Sequence, residues 1–169
     1  MQKYFGSIPK GIVGLTAVLL STNVIASTAT TTFAVTSTVL TACIVVATPL
    51  VFGNYDPTSS TALAGTATTS VTCTLSAPYN VGLDAGQGSG ATVTTRKMTR
   101  ITGGTQTLNY SLYQDSGHAT VWGNTVGTNT VASTGTGILQ AFTIYGEVTA
   151  QQASPAAAYS DTVTVTVTY

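Results

Sequence analysis

Short runs in which apolar and polar residues alternate recur along most of this chain, each closed by glycine, proline, asparagine or aspartate. Alternation with period two puts one face of an extended segment on a core and the other on solvent. The clearest run covers residues 159–169. Tyr159, Val163, Val165, Val167 and Tyr169 are apolar or aromatic, the residues between them are polar, and valine and threonine favour strands. A strand of this kind either pairs with earlier strands on both sides or leaves one edge open. An open edge is a template for another chain, and some assemblies use it for β-strand addition.

The same reading predicts strands along the rest of the chain. Phe33, Val35, Ser37 and Val39 alternate with Ala34, Thr36, Thr38 and Leu40, behind a threonine-rich stretch at 27–32. Residues 43–52 are apolar, with Pro49 marking an edge or a bend, and 53–57 form a turn cluster. Residues 66–75 place Val71, Cys73 and Leu75 on one face, and Tyr79, Val81 and Leu83 repeat the pattern. A glycine-rich loop follows at 84–88, then a short piece with Met98 and Ile101. Leu108, Tyr110 and Leu112 alternate up to a turn at Asp115-Ser116-Gly117. Residues 121–124 are a short piece, 125–136 read as loop, 138–148 as a long strand, and 150–158 as a loop around Pro155. No segment keeps a 3.6-residue apolar period with caps. About seven short strands at regular spacing predict an all-β, immunoglobulin-like sandwich.

Composition adds a compartment. Lys3 and Lys10 precede an apolar run at 11–20 that is too short to span a bilayer. Val24 and Ala26 then supply small residues at the −3 and −1 positions, so residues 1–26 read as a secretory signal peptide. Two cysteines, Cys43 and Cys73, follow it. In an exported chain an even count predicts a disulfide, here the single intramolecular pairing two cysteines allow. Closing a loop of this size contributes roughly 3–4 kcal/mol in the chain-entropy model. A metal site is the weaker reading, because no histidine or third cysteine completes a ligand set.

After residue 26 there are three cations, Arg96, Lys97 and Arg100, against five anions, for a net charge of −2 with His118 neutral. So few charges are unusual for a freely dispersed monomer and suit a surface occupied by neighbours. They also argue against nucleic acid as a partner, because no basic face exists to neutralise phosphates. The three cations read either as contacts to an acidic patch on a neighbouring subunit or as a solvated face.

Several motifs, taken together and in order, resemble a known family. They are Cys43-Ile44-Val45, Phe52-Gly53-Asn54-Tyr55-Asp56, Val71-Thr72-Cys73-Thr74 and Pro78-Tyr79. Then come Leu83-Asp84-Ala85-Gly86, Tyr110-Ser111-Leu112-Tyr113-Gln114-Asp115 and Val121-Trp122-Gly123. The last are Tyr145-Gly146, Gln151-Gln152 and Tyr159-Ser160-Asp161-Thr162-Val163. The chain is similar to the spore coat protein U domain, which is also the pilin domain of archaic chaperone–usher pili, and within it to the major Csu-type subunits. It departs from the family pattern at Ser111, Asn124-Thr125 and Ala158, all at turns or strand surfaces.

The resemblance implies an incomplete immunoglobulin-like β-sandwich that lacks its final strand and is completed by donor-strand complementation. It implies a signal peptide at 1–26, an N-terminal donor segment at 27–40 and a pilin domain at 41–169. Phe33, Val35, Ser37 and Val39 are the expected donor residues. Val163, Val165, Val167 and Tyr169 are the expected last strand beside the acceptor groove. Burying the donor's three apolar side chains contributes roughly 4–9 kcal/mol as an upper bound. The implied role is the major structural subunit of a cell-surface pilus, exported through the periplasm, that supports attachment and biofilm formation. The implied partners are other copies of the chain, a periplasmic chaperone, an outer-membrane usher, minor pilins and a tip adhesin. A coat or matrix structural protein is the rival reading, and a lectin-like adhesin the third.

No enzymatic chemistry is expected, and no cofactor. Asp115, Ser116 and His118 are close in sequence, but a triad is defined in space, and a glycine-containing turn explains them better. Residues 84–90 share glycine with a phosphate loop but lack its lysine and following helix, so they read as a flexible hairpin loop. Trp122 and the tyrosines read as core aromatics before they read as a lectin-like platform.

Overall fold

The computed structural model describes residues 25–169. The expected signal peptide therefore lies almost wholly outside the described residues. The chain divides into two units, one ending at Ser37 and the other running from Thr38 to Tyr169. In the first, residues 25–37 form no helix or strand, and their side chains are exposed.

The second unit is built from nine strands: β1 (Cys43–Ala47), β2 (Leu63–Cys73), β3 (Pro78–Leu83), β4 (Arg96–Arg100), β5 (Thr107–Tyr113), β6 (Val131–Thr134), β7 (Gln140–Val148), β8 (Tyr159–Ser160) and β9 (Val165–Thr168). One sheet has the order β1-β2-β7-β5-β4-β8 and the other the order β6-β3-β9. Every named pairing is antiparallel.

Alternation decides which side chains meet between the sheets. Ala67, Val71 and Cys73 of β2, Ile144 and Val148 of β7, and Leu108, Tyr110 and Leu112 of β5 are buried on one sheet. Tyr79, Val81 and Leu83 of β3 face them from the other, with Trp122 between. The Trp122 indole N–H donates to the Val81 carbonyl at 2.8 Å, so its one polar atom is satisfied in the core. Cys43 and Cys73 are directly opposite in the β1–β2 register and form a disulfide.

Several expected elements are corrected. Residues 159–169 are two strands rather than one. β8 pairs with β4 in the larger sheet, and β9 pairs with β3 in the smaller one. Residues 161–164 carry the chain between the layers. Residues 125–136 are not all loop, since β6 lies within them. β7 begins at Gln140, which leaves Ile138 and Leu139 exposed. Leu75 does not share the inward face of Val71 and Cys73: β2 ends at Cys73, Ser76 takes a positive φ, and Leu75 turns outward. Ile101, just past β4, is exposed as well. Residues 33–40 form no strand.

Candidate functional site: an open groove between the sheets

Close-packed interiors leave few voids larger than a water molecule. Here the space between the layers opens into a groove of about 1100 Å³. That exceeds the roughly 300–1,000 Å³ of small-molecule pockets. Its floor is apolar: Ala67, Leu83, Leu108, Leu112, Ile144 and Val148 reach it from four strands. One wall is the segment 47–55, which follows β1, and the other is formed by residues 154–165, with Val163 and Val165.

Both walls carry unpaired backbone. β9 stands at the end of its sheet with β3 on one side only. Its outer edge has no ladder partner among the described residues. Opposite it, Thr48 N donates to the Thr68 carbonyl at 2.8 Å, and from Pro49 to Tyr55 no backbone–backbone hydrogen bond to any described residue follows. Pro49 to Tyr55 are exposed or half-buried, so solvent can meet these groups, but an unpaired edge is also a template for an added strand. Two unpaired segments flanking an apolar floor therefore have the form of a sandwich edge from which one strand is missing.

Two glycines shape the first wall. Gly65 of β2 and Gly146 of β7 are register partners. A Cβ on Gly146 would lie 2.8 Å from Phe52 Cζ and 2.9 Å from Leu50 Cδ1, and one on Gly65 3.1 Å from Phe52 Cδ1. The paired glycines thus let Leu50 and Phe52 lie directly on the sheet. The Phe52 ring meets Tyr110 edge-on at 6.0 Å.

The second wall is held by a polar cluster where the chain changes layers. Asp161 Oδ2 accepts from the Tyr110 hydroxyl at 2.8 Å, and its Oδ1 accepts from the backbone N–H of Gln87 at 2.7 Å and Thr162 at 2.8 Å. Asp84 Oδ1 accepts from Thr164 N and Gly86 N, both at 2.9 Å. Gly86 has φ +77°, and any Cβ there would collide with the Asp161 carboxylate. Arg96 is wholly buried beside them. It donates to the carbonyls of Asp84, Val93, Leu83 and Trp122 at 2.7–3.0 Å.

Electrostatics follow from this packing. Burial draws the Arg96 guanidinium below its ordinary pKa, against the opposing pull of Tyr110, Asp84 and Asp161. Burial also pushes the Tyr110 hydroxyl well above its ordinary value, and the hydrogen bond to Asp161 adds to this. For Asp84, burial raises the pKa, but hydrogen bonds from Thr164 and Gly86 and the Arg96 charge outweigh it, and the net shift is downward.

The residues singled out from sequence fall as follows. Val163, Val165 and Val167 are half-buried against the core, and the first two line the groove. Tyr169 is exposed. Phe33, Val35, Ser37 and Val39 are all exposed, Phe33 by 85%. The reading of Arg96 as a solvated or neighbour-contacting cation is overturned by its complete burial. Lys97 Nζ and Arg100 Nη1 reach the carbonyls of Ser89 and Gly103 at 3.4 and 3.1 Å. The loop at 84–90 is not free, since Asp84, Gly86 and Gln87 are tied to the layer crossing.

Asp115 accepts from the backbone N–H of Gly117, Ala119 and Thr120, which is turn chemistry. His118 pairs instead with Glu147 at 2.9 Å. Trp122, Tyr79 and Tyr110 are buried, so they form no exposed aromatic platform.

Sequence reasoning missed the role of Asp161, and the signal was available. In the alternating run 159–169, position 161 has the inward phase of Tyr159 and Val163, yet it holds a carboxylate. A charged residue in the core phase marks a break in the strand. Gly146 was likewise visible as a glycine inside a strand pattern, which marks close backbone or side-chain approach, whereas Gly65 lay just before the strand expected at 66–75.

Comparison with known proteins agrees with this architecture. Residues 29–166 match the family model described as Spore Coat Protein U domain. Protein U of Myxococcus xanthus is 37% identical over 127 residues, covering 70% of this chain and 70% of that protein. Among solved structures, the chain superposes with a TM-score of 0.56, at 23% identity, on a chain of the CsuC–CsuE chaperone–tip adhesion subunit pre-assembly complex from archaic chaperone–usher Csu pili of Acinetobacter baumannii. That match covers 78% of this chain and 40% of the other. The E. coli Hda pilus minor tip subunit, HdaB, matches at TM-score 0.41 and 20% identity, over 73% of this chain and 79% of that one. The Csu match shares the immunoglobulin-like fold. By the family match over most of its length and by its likeness to Protein U, this chain belongs to the Spore Coat Protein U domain family.

Proposed function

We propose that this chain is the major structural subunit of a cell-surface fibre that polymerises by donor-strand exchange. Residues 1–26 direct export, 27–40 donate a strand, and 41–169 accept one. The observation that carries this reading is the groove, an apolar floor flanked by the unpaired backbone of 49–55 and the free edge of β9. Its natural occupant is an extended strand that presents an apolar residue at every second position, because that occupant satisfies both floor and walls at once. Phe33, Val35 and Val39 have that spacing and are exposed.

In this reading a periplasmic chaperone fills the groove first, and an outer-membrane usher then exchanges it for the segment of the next copy. Minor pilins and a tip adhesin complete the fibre, whose role is attachment and biofilm formation. The subunit acts by assembly and performs no catalysis. The shared fold with a chain from a chaperone–pilus subunit complex supports a chaperone and other pilus subunits as partners.

The test is to supply the strand in cis. Appending residues 27–40 after Tyr169 through a short flexible linker, and deleting them from the N-terminus, is expected to give a soluble, non-polymerising monomer. Its unfolding midpoint should lie far above that of residues 41–169 alone. If residues 41–169 alone already unfold cooperatively as a stable monomer, the groove needs no strand and the proposal fails.

A second reading, a coat or matrix structural protein, is favoured by the description of the matching family as Spore Coat Protein U domain. It keeps strand donation optional. Chaperone and usher genes beside this one support the fibre, and their absence favours the coat.

A further inference from the structure

We infer that the root of the N-terminal segment is ringed by an apolar collar, and that a second copy of this chain, the one accepting the segment, docks on it. The inference rests on the donor-strand reading above and adds a second contact between successive copies.

The root is fixed by hydrogen bonds as well as by the disulfide. Ala42 N donates to Thr74 Oγ1 at 3.0 Å, Thr74 N donates to the Ala42 carbonyl at 2.9 Å, and Thr74 Oγ1 donates to the Leu40 carbonyl at 3.3 Å. The turn after β2 is joined in the same way to the loop before β7. Ser76 N donates to the Gly135 carbonyl at 2.7 Å and Gly137 N to the Cys73 carbonyl at 3.1 Å. A Cβ on Gly137 would stand 3.9 Å from Leu75 Cβ.

Around this braced root, Leu40, Ile44, Leu75, Ile138 and Leu139 are 63–76% exposed. No charged residue occurs in 38–48, 68–83 or 128–143, the stretches of chain that include and adjoin these residues. Single exposed apolar side chains are ordinary, but a contiguous uncharged group of them marks an interaction surface. Leu75, Ile138 and Leu139 are outward because β2 ends early and β7 starts late.

Chain reach selects the occupant. If residues 33–39 lie in another copy's groove, Val39 is held in that copy while Cys43 is held by its own disulfide. Four residues span at most about 14 Å. The accepting copy must therefore stand against the surface surrounding residues 40–43, which is the collar. Its lack of charge suits contact between identical chains, since no like charges are brought together there.

Hydroxyl-radical footprinting of the assembled full-length polymer tests this, with Ile101 (59% exposed) and Val126 (51%) as internal references outside the collar. Leu75, Ile138 and Leu139 are expected to oxidise several-fold more slowly than these two. A detergent-resistant polymer in which they oxidise as fast as the references overturns the collar and leaves strand donation standing. Absence of any detergent-resistant polymer overturns both. Protection in the chaperone-bound subunit that is lost in the polymer makes the patch a chaperone site and also overturns the inference. In a Leu75→Gln, Leu139→Gln polymer, Ile138 is expected to oxidise as fast as Ile101, and electron microscopy should show a wider spread of angles between successive subunits. An unchanged angular spread counts against the collar.

Discussion

At the scale of single residues, the proposed donor segment and the layer crossing carry the sharpest consequences. Phe33 is the largest side chain in the alternating run 33–39. Phe33→Asp places a carboxylate where an apolar groove would receive it, at a cost of about several kcal/mol unless paired. That is comparable to the whole gain from donor burial. The variant is expected to bind chaperone through its own intact groove yet fail to polymerise, as read by unheated gel ladders. Normal polymer from it would place the donor elsewhere.

Asp84 sets an acid limit on stability. Its pKa is lowered in the fold despite burial, so its contribution is complete above the ordinary carboxylate value of about 3.9 and is lost as pH falls through the folded-state value. Through this group, the denaturant midpoint of the self-complemented monomer should therefore fall as pH drops below about 4. Asp84→Asn keeps an acceptor for Thr164 N and Gly86 N but removes the titration. A slope as steep as that of the parent would sink this assignment.

At the scale of elements, the groove depends on where two segments leave their sheets. After Thr48 the chain stops pairing with β2 and lies over the glycine pair, and after Ser160 it leaves β4 to reach β3. The first departure has a local cause, since Pro49 lacks an N–H for the ladder; the second has a long-range one, since Asp161 is drawn off by Tyr110 and Gln87. The first departure yields a prediction. Gly146→Ala would crowd Phe52 and Leu50, and overpacking of this kind costs typically about 1–3 kcal/mol. The Phe52 ring is expected to lift into the groove, lowering both stability and the rate at which a peptide of residues 27–40 is taken up in trans. An unchanged uptake rate, measured by fluorescence of a labelled peptide, would show that the Leu50–Phe52 wall is not part of the acceptor.

At the scale of the whole molecule, a subunit joined to its neighbour by a strand in its core differs from one joined by a surface contact. Releasing the strand requires opening the sandwich, so the stability of the joint is a rate governed by that barrier. The polymer is expected to persist in mild detergent at room temperature and to release monomers only on heating, with release times that shorten steeply with temperature. Immediate dissociation in the cold would contradict the mechanism. The scarcity of charge fits the proposed assembly, in which a surface that meets other copies would need no charge to keep them apart.

The inward phase of β2, β3 and β5 could be read without the structure, because period two is a property of the local chain and the burial of Val71, Tyr79, Val81, Leu83, Leu108, Tyr110 and Leu112 follows from it. The cysteine pairing was legible because only two cysteines exist. Other features depended on contacts between residues far apart in sequence. Nothing local distinguishes Arg96 from Lys97 or Arg100, and only the convergence of four carbonyls from separate segments makes it a buried residue. Leu75, Ile138 and Leu139 look like core in sequence, and they lie outside because strand ends are set by what the neighbouring strand pairs with. The split of residues 159–169 between two sheets was decided in the same way, by Asp161 finding its partners across the sandwich.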